Sequence, residues 1–272
     1  MLFLSPQHIV DLYCWVDSHL PSTRTIGRPC VMNDTEMITI LIWCTCTLKQ
    51  KTLRDCYDTL CLYHQHDFKT PSYQTFVRRS HEVTEHMFFL LSQLLCDTEP
   101  VRLMDSTMLP VCKNHRIDDH KVAKNIANFG KNWQGWHYGF KLHASTTLDG
   151  KLCGLALTPA NVHDAQMEYK LLNEHCDVAV GDTLYGARVM RARMWRRYQT
   201  IIIAPPHPKQ KKQIATQLQI KLLERRSKIE CVFDYLKEHL HLVSSFPRSI
   251  YGYLVHYIRI LLSYQLMALC KG

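Results

Sequence analysis

The stretch "HYGFKLHASTTLDGKLCGLALTPA", His137 to Ala160, constrains the fold more than any other part of the chain. Two strand-like runs flank Asp149-Gly150, a dipeptide that favours the positive φ of a tight hairpin turn. A further strand-like run, "VRLMDSTML", precedes them and is read as ending at Asp105. After the hairpin the pattern alternates. "AQMEYKLLNEH" reads as helix, "CDVAVGDTLYG" as a short strand ending at Asp182, "GARVMRARMWRRY" as a basic helix and "TIIIAPPH" as a strand stopped by prolines. A long helix from Glu224 to His239 follows. Strands first in hairpin sequence and then alternating with helices predict an α/β domain on a mixed sheet.

Residues 1–97 carry a different pattern. "QHIVDLYCWVDSHL" has helical apolar spacing, and "NDTEMITILIWCTCTL" opens with capping residues before its apolar run. "TLRDCYDTLCLYH" and "PSYQTFVRRSHEVTEHMFFLLSQLLC" complete an all-helical region, the latter with Pro71 near its start. No motif distinguishes a DNA-recognition helix from a packing helix here, so contact with DNA and a purely structural role both stay open.

The formal charge of +9 suits an anionic partner such as nucleic acid. Twelve cysteines are scattered without a CxxC pair or zinc spacing, which predicts reduced thiols in a cytosolic protein. "MLFLSPQHIVDLYCW" has no basic n-region and no cleavage site, so no secretory leader is expected. "YGYLVHYIRILLSYQLMALC" is nearly apolar enough to span a membrane, but His256, Arg259 and Gln265 interrupt it. A packed C-terminal helix is the preferred reading.

Three carboxylates stand out as a set. Asp105 and Asp182 each follow an apolar strand, where side chains can reach a crevice at the sheet edge. Alone, each would be an ordinary turn or cap residue. The long helix supplies Glu230. Its apolar stripe of Leu222, Ile229, Phe233, Leu236 and Leu240 is bordered by Arg226, Glu230 and Lys237, at steps of 4 and 7. On spacing alone, an i,i+4 ion pair of Arg226 with Glu230 and a functional edge are equal readings. Carboxylates from separate elements are what hard divalent cations require in two-metal phosphoryl transfer.

The ordered set resembles the bacterial insertion-sequence DDE transposases, whose catalytic core is ribonuclease-H-like. One group of these enzymes ends its core with Y-x2-R-x3-E-x6-K. Arg226, Glu230 and Lys237 stand at those spacings, and Leu223 stands where the Tyr would be. "MDST" at Asp105, "GDTLYG" at Asp182, "YGFKLH" and "LTPANVHDAQ" resemble the family's other blocks. The similarity covers residues 98–272 and extends more weakly to "GRP" and "PSYQTFVRR".

The resemblance implies a ribonuclease-H-like mixed sheet flanked by helices over 98–272; for the all-α region at 1–97 before it, DNA binding and assembly both stay open. It implies two Mg²⁺ ions, with Mn²⁺ as substitute, held by Asp105, Asp182 and Glu230, with Asp105 bridging. Arg226 and Lys237 would hold phosphates. The expected partners are double-stranded DNA, at element ends and target, and a second copy of the chain, with no membrane and a bacterial cytoplasmic setting. The 48 residues between Asp182 and Glu230 leave no room for a large inserted domain. A nuclease that cuts without joining and a non-cutting DNA-binding relic remain the alternatives.

Lesser candidates are weighed against plain structural roles. Arg188 and Arg191, with Arg193, Arg196 and Arg197, make a phosphate-contacting patch of which some members are ordinary surface charge. Lys141 shares a strand face with His143 and is a further DNA contact. Asp118 and Asp119 read as solvated before metal-binding, Asp164, beside His163, as a helix cap or a catalytic acid, and Lys209, Lys211 and Lys212 as a solvated loop before a non-specific DNA contact. Trp133 and Trp136 read as packing residues before base-stacking ones.

Overall fold

The computed structural model describes residues 8–21, 30–132, 135–206, 215–243 and 247–270. Trp133, Lys209, Lys211, Lys212 and the "GRP" segment lie outside the described residues. The chain divides into two compact units, Met1–Leu94 with Leu236–Gly272, and Leu95–Tyr235. The last 37 residues, read from sequence as the end of the sheet domain, thus group with the N-terminal helices.

The first unit is helical: α1 (Ile9–His19), α2 (Asp34–Leu48), α3 (Leu53–Tyr63), α4 (Tyr73–Glu82), α5 (Thr84–Leu94) and, after the sheet unit, α10 (Ile250–Cys270). Helix α2 starts where Asn33 and Glu36 cap each other reciprocally, each bond 2.7 Å long. Every residue from Met37 to Cys46 is buried, so α2 is enclosed on all sides rather than amphipathic. Thr52 and Asp55 form a second capping box before α3. The last predicted helix of this region is two, α4 and α5, separated at Val83. Helix α10 is long and apolar enough to cross a membrane, and 67% of its apolar window is buried. Its polar residues His256, Arg259 and Gln265 are buried as well.

The second unit carries a six-stranded sheet: β1 (Val101–Pro110), β2 (Asn128–Asn132), β3 (Gly135–Thr146), β4 (Leu152–Pro159), β5 (Val178–Val180) and β6 (Ile201–Ile203). The order is β2-β3-β1-β5-β6, with β4 also on β3. Gly139 pairs with both Pro110 and Asn128, so β2 and β4 share the edge of β3 away from β1. Strands β1, β3 and β4 are antiparallel, and β5 and β6 run parallel to β1. Asp149-Gly150 makes the expected turn, Gly150 at φ 95°. This is the mixed α/β sheet flanked by helices that the sequence and the resemblance led us to expect.

The differences have local causes. Strand β1 does not end at Asp105 but runs on to Pro110, because its antiparallel partner β3 continues beside it. Strand β2, which the sequence reading passed over, is short and largely exposed. The helix expected at "AQMEYKLLNEH" shortens to a 3₁₀ turn at Asp164–Gln166 and α6 (Glu168–Leu171). Helix α7 (Arg188–Tyr198) packs on the sheet through Met190 and Met194, in a core with Met104, Leu171, Ala179, Tyr185 and Ile202. The single long helix before the C-terminus is instead α8 (Gln217–Arg225), α9 (Ser227–Asp234) and a π-helical turn at Tyr235–His239.

Candidate active site

Strand β5 pairs with β1 only as far as Leu103, which lies opposite Val180. That register extended by two residues sets Asp182 beside Asp105. Asp105 is thus placed where the parallel neighbour leaves β1, the crevice position of an open α/β sheet. Its Oδ1 accepts a 2.8 Å bond from the Ser106 N–H, which orients the carboxylate. Asp182 caps the 3₁₀ turn Thr183–Gly186, accepting at 2.9 Å from the Leu184 N–H. The capping role expected of a lone strand-end Asp is therefore real, and it leaves Oδ2 of Asp182 uncommitted to that cap.

Helix α9 packs against β1 and brings the third carboxylate. Arg226 joins α8 to α9 with helical dihedrals, φ −54° and ψ −35°. Its Nη2 lies 2.7 Å from Glu230 Oε1, and its Nη1 3.6 Å from Asp105 Oδ2. The i,i+4 ion pair therefore forms, and the same guanidinium also approaches Asp105. Glu230 is half exposed (49%), whereas Asp105 is 20% exposed. Leu222, Ile229, Phe233, Leu236 and Leu240 are all buried, as the stripe required. Lys237 falls in the π-helical turn and is half-buried. Leu223, at the departing Tyr position, is half-buried too.

The carboxylates repel one another. Burial pushes Asp105 up to about 6, Asp182 and Glu230 add to the shift, and the Ser106 N–H and Arg226 oppose it. Burial also raises Asp182, with Asp164 adding and the Leu184 N–H opposing. Tyr185 lies beneath the pair, fully buried, and its hydroxyl has no hydrogen-bond partner among the described residues. Burial, then Asp164, Asp105 and Asp182, raise its phenol. Gly181 makes room for that ring, because a Cβ there would stand 2.7–3.0 Å from Tyr185 atoms.

Asp164 is a fourth acid near the centre. His163, not Asp164, caps the 3₁₀ turn, accepting from the Ala165 N–H at 3.1 Å. Asp164 pairs instead with Lys141 at 3.2 Å and approaches His143 Nδ1 at 3.4 Å. Lys141 and His143 do share a face, as expected, but it is the face opposite Asp105, whose cross-strand partner is Ala144. Lys141 is 9% exposed and also donates to the Val162 carbonyl at 2.9 Å. Its ammonium is thereby engaged by Asp164 and the Val162 carbonyl. Burial brings His143 down to about 4, so its imidazole is neutral, and its Nε2 lies 2.9 Å from Thr158 Oγ1.

Helix α7 divides its arginines. Arg188, Arg193, Arg196 and Arg197 line an open groove of about 700 Å³. Arg193 is tied to the buried Glu168, and Arg197 lies over the rings of Tyr169 and Tyr198 at 5.6 and 5.1 Å. Arg191 is half-buried and turned towards Gly186, away from that groove. Arg188, Arg196 and Arg197 are the exposed members with no ion pair among the described residues, and of these Arg197 is held by its rings. Asp118 and Asp119 are exposed, and Trp136 is 58% exposed with Lys131 over its ring.

Asp105, Asp182 and Glu230 offer only oxygen ligands, which is the donor chemistry of Mg²⁺ or Mn²⁺. The mutual repulsion at Asp105 is what a bound cation would relieve. Among the described residues no three acidic, His or Cys side chains converge closely enough to enclose an ion. Arg226 stands between Asp105 and Glu230, and it supplies the positive charge there.

A protein-family model described as a transposase DDE domain matches residues 95–250, more than half of the chain. No curated protein matched it. The matched span begins at the sheet unit and contains Asp105, Asp182, Arg226, Glu230 and Lys237. A transposase domain implies DNA as the substrate. The chain belongs to the transposase DDE domain family.

Proposed function

We propose that this chain cuts DNA at the ends of an insertion sequence and joins the freed 3′-hydroxyls to target DNA. The observation that supports the reading is that Asp105 and Asp182 each lie two residues beyond the paired Leu103 and Val180, while Arg226 bridges Asp105 to Glu230. Asp105, Asp182 and Glu230 would hold Mg²⁺ or Mn²⁺. Such ions, when bound, polarise the scissile phosphate and make the attacking oxygen more acidic.

The first step is attack of a water oxygen on phosphorus at the element end. The P–O3′ bond breaks, the 3′-oxygen takes a proton, and the water's proton passes to solvent. In the second step the new 3′-hydroxyl attacks a target phosphodiester and expels the target's own 3′-oxygen. No protein nucleophile takes part. Arg226 would exchange Asp105 and Glu230 for a phosphate oxygen, bringing a planar donor fork to the scissile group. Lys237, Arg188 and Arg196 would neutralise backbone phosphates. Two ends must be processed together, so a dimer or larger assembly on DNA belongs to the proposal.

The test is cleavage and joining on DNA carrying the element's ends, with Mg²⁺ or Mn²⁺, for the native chain and Glu230→Gln. Joined products that vanish in a variant still binding DNA support the reading. Cutting without joining would favour a plain nuclease. Native-level cutting by Glu230→Gln would remove Glu230 from the site.

A further inference from the structure

The helical unit holds a cationic recess of its own. A cleft of about 600 Å³ is lined by Arg54, Tyr73, His81, Arg248, His256 and Arg259, among others. Arg259, within α10, is only 1% exposed, and no carboxylate among the described residues pairs with it. Its Nη1 donates to Cys56 Sγ at 3.0 Å and its Nη2 to the Lys51 carbonyl at 3.2 Å. His256 Nδ1 lies 3.5 Å from Nη2, and Arg259 Nε has no partner among the described residues. A buried guanidinium is costly unless an anion faces it. Burial keeps His256 neutral, and the Cys56 thiol is drawn below its ordinary value by its hydrogen bond with Cys44 and by Arg259, so no carboxylate or phosphate answers the guanidinium and the cleft is an approach from which one can come.

The walls carry the same sign. Arg248 is exposed. Arg54 is 58% exposed, lies 4.9 Å over the Tyr73 ring and pairs with Asp58 at 3.0 Å. Helices α3 and α10 both begin at the cleft, so their positive dipole ends add to the field. An anion there would meet mobile arginines at the rim and a fixed one at the floor.

We propose that this cleft holds a phosphate of the DNA backbone, giving the helical unit its own DNA contact. The proposal rests on the transposase reading for the identity of the polyanion, and on Arg259 for the site. Duplex affinity is measured by fluorescence anisotropy over a salt series, native against the double variant Arg54→Ala/Arg248→Ala. Both arginines are exposed, so folding is not at stake. The variant is expected to bind several-fold more weakly, with a salt slope reduced by roughly 1–2. An unchanged slope would overturn the proposal.

Inorganic phosphate should raise the native Tm and leave the double variant's unchanged. A phosphate effect without any change in duplex binding would mean a free anion occupies the cleft, and would overturn the DNA assignment. Arg259→Met should lose the phosphate effect, and retention would overturn its role as counter-charge. Should Arg259→Met fail to fold, the exposed pair still decides. A chain that cuts element ends with an unchanged slope loses the cleft alone. One that does not cut but keeps the Arg54 and Arg248 dependence loses the strand-transfer reading alone.

Discussion

Asp105 and Asp182 each lie two residues beyond Leu103 and Val180, which are partners on adjacent parallel strands, and burial, helped by the Asp182 charge, raises Asp105. Neither is held by the other; each is oriented by a backbone N–H of its own chain segment. Two acids fixed from separate segments and raised by shared burial form a site that gains from added positive charge.

That relationship predicts the outcome of removing either charge. Asp105→Asn and Asp182→Asn should each slow strand cleavage on the order of 10²–10³-fold or more, since charge stabilisation at the reacting phosphate is lost. Duplex affinity should be equal or tighter, because one repulsive charge has gone. Single-turnover cleavage of end-labelled DNA measures the first and anisotropy the second. A variant cutting at the native rate would place its Asp outside the chemistry.

Gly181 and Tyr185 form a packing unit under the carboxylates. Gly181→Ala would force a Cβ against the Tyr185 ring and should cost about 1–3 kcal/mol, read from urea unfolding. Tyr185→Phe removes a buried hydroxyl that lacks a partner and should be neutral or slightly stabilising. A loss above about 1 kcal/mol in the Phe variant would mean the hydroxyl is hydrogen-bonded after all.

Glu168 is fully buried, and Arg193 is its counter-ion. Arg193→Ala would strand that carboxylate and should destabilise the protein by about 3 kcal/mol, discounted for the half-exposed guanidinium. Arg197→Ala loses only stacking on Tyr169 and Tyr198 and should cost about 1 kcal/mol or less. Thermal unfolding of the two variants side by side checks the contrast. Equal losses would contradict it.

His256 gives the helical unit an acid limit. Its Nε2 lies 3.1 and 3.2 Å from the His241 and Leu242 carbonyls, and burial, then Arg259, bring its pKa down to about 3. An unfolded His titrates near ~6.5, so below that pH only the unfolded chain takes up the proton. Stability from this group is present above ~6.5 and is lost as pH falls towards 3, by about 1.4 kcal/mol per pH unit. His256→Gln keeps a donor without the titration. Its stability should fall less between pH 6.5 and 5, by about 2 kcal/mol, in denaturant unfolding.

The sequence made the strand and helix order legible because hairpin chemistry and apolar alternation are local. The Asp149-Gly150 turn and the Leu222-to-Leu240 stripe could be read without any tertiary information. The extent of β1 could not, since only pairing with β3 carries it past Asp105. The grouping of α10 with the N-terminal helices also depends on contacts distant in sequence, such as Gln265 with the Leu94 carbonyl.

The same division holds at the candidate site. Asp105, Asp182 and Glu230 were visible as residue types at telling places. Arg226 was visible by its spacing, but its dual attachment was not. Lys141 was placed on the correct strand, yet alternation alone did not say that it lies on the face opposite Asp105. Tyr185, three residues beyond Asp182, went unremarked because a Tyr in a polar turn carries no periodic signal. Arg259 looked like an interruption of an apolar helix, and only its burial without a carboxylate makes it noteworthy.

The helix that carries Glu230 is a jointed rod. At Arg226 the bonding tightens, with Arg226 N–H reaching the Leu223 carbonyl and Ile229 N–H the Arg226 carbonyl, both at 3.2 Å. Beyond Asp234 it loosens into the π turn. Glu230 therefore rides on a two-turn segment with a seam at either end, anchored by its own buried Ile229, Val232 and Phe233. Each seam resets the helical phase, so the direction in which Arg226 and Glu230 point is fixed by that short segment and not by the helical turns before and after it.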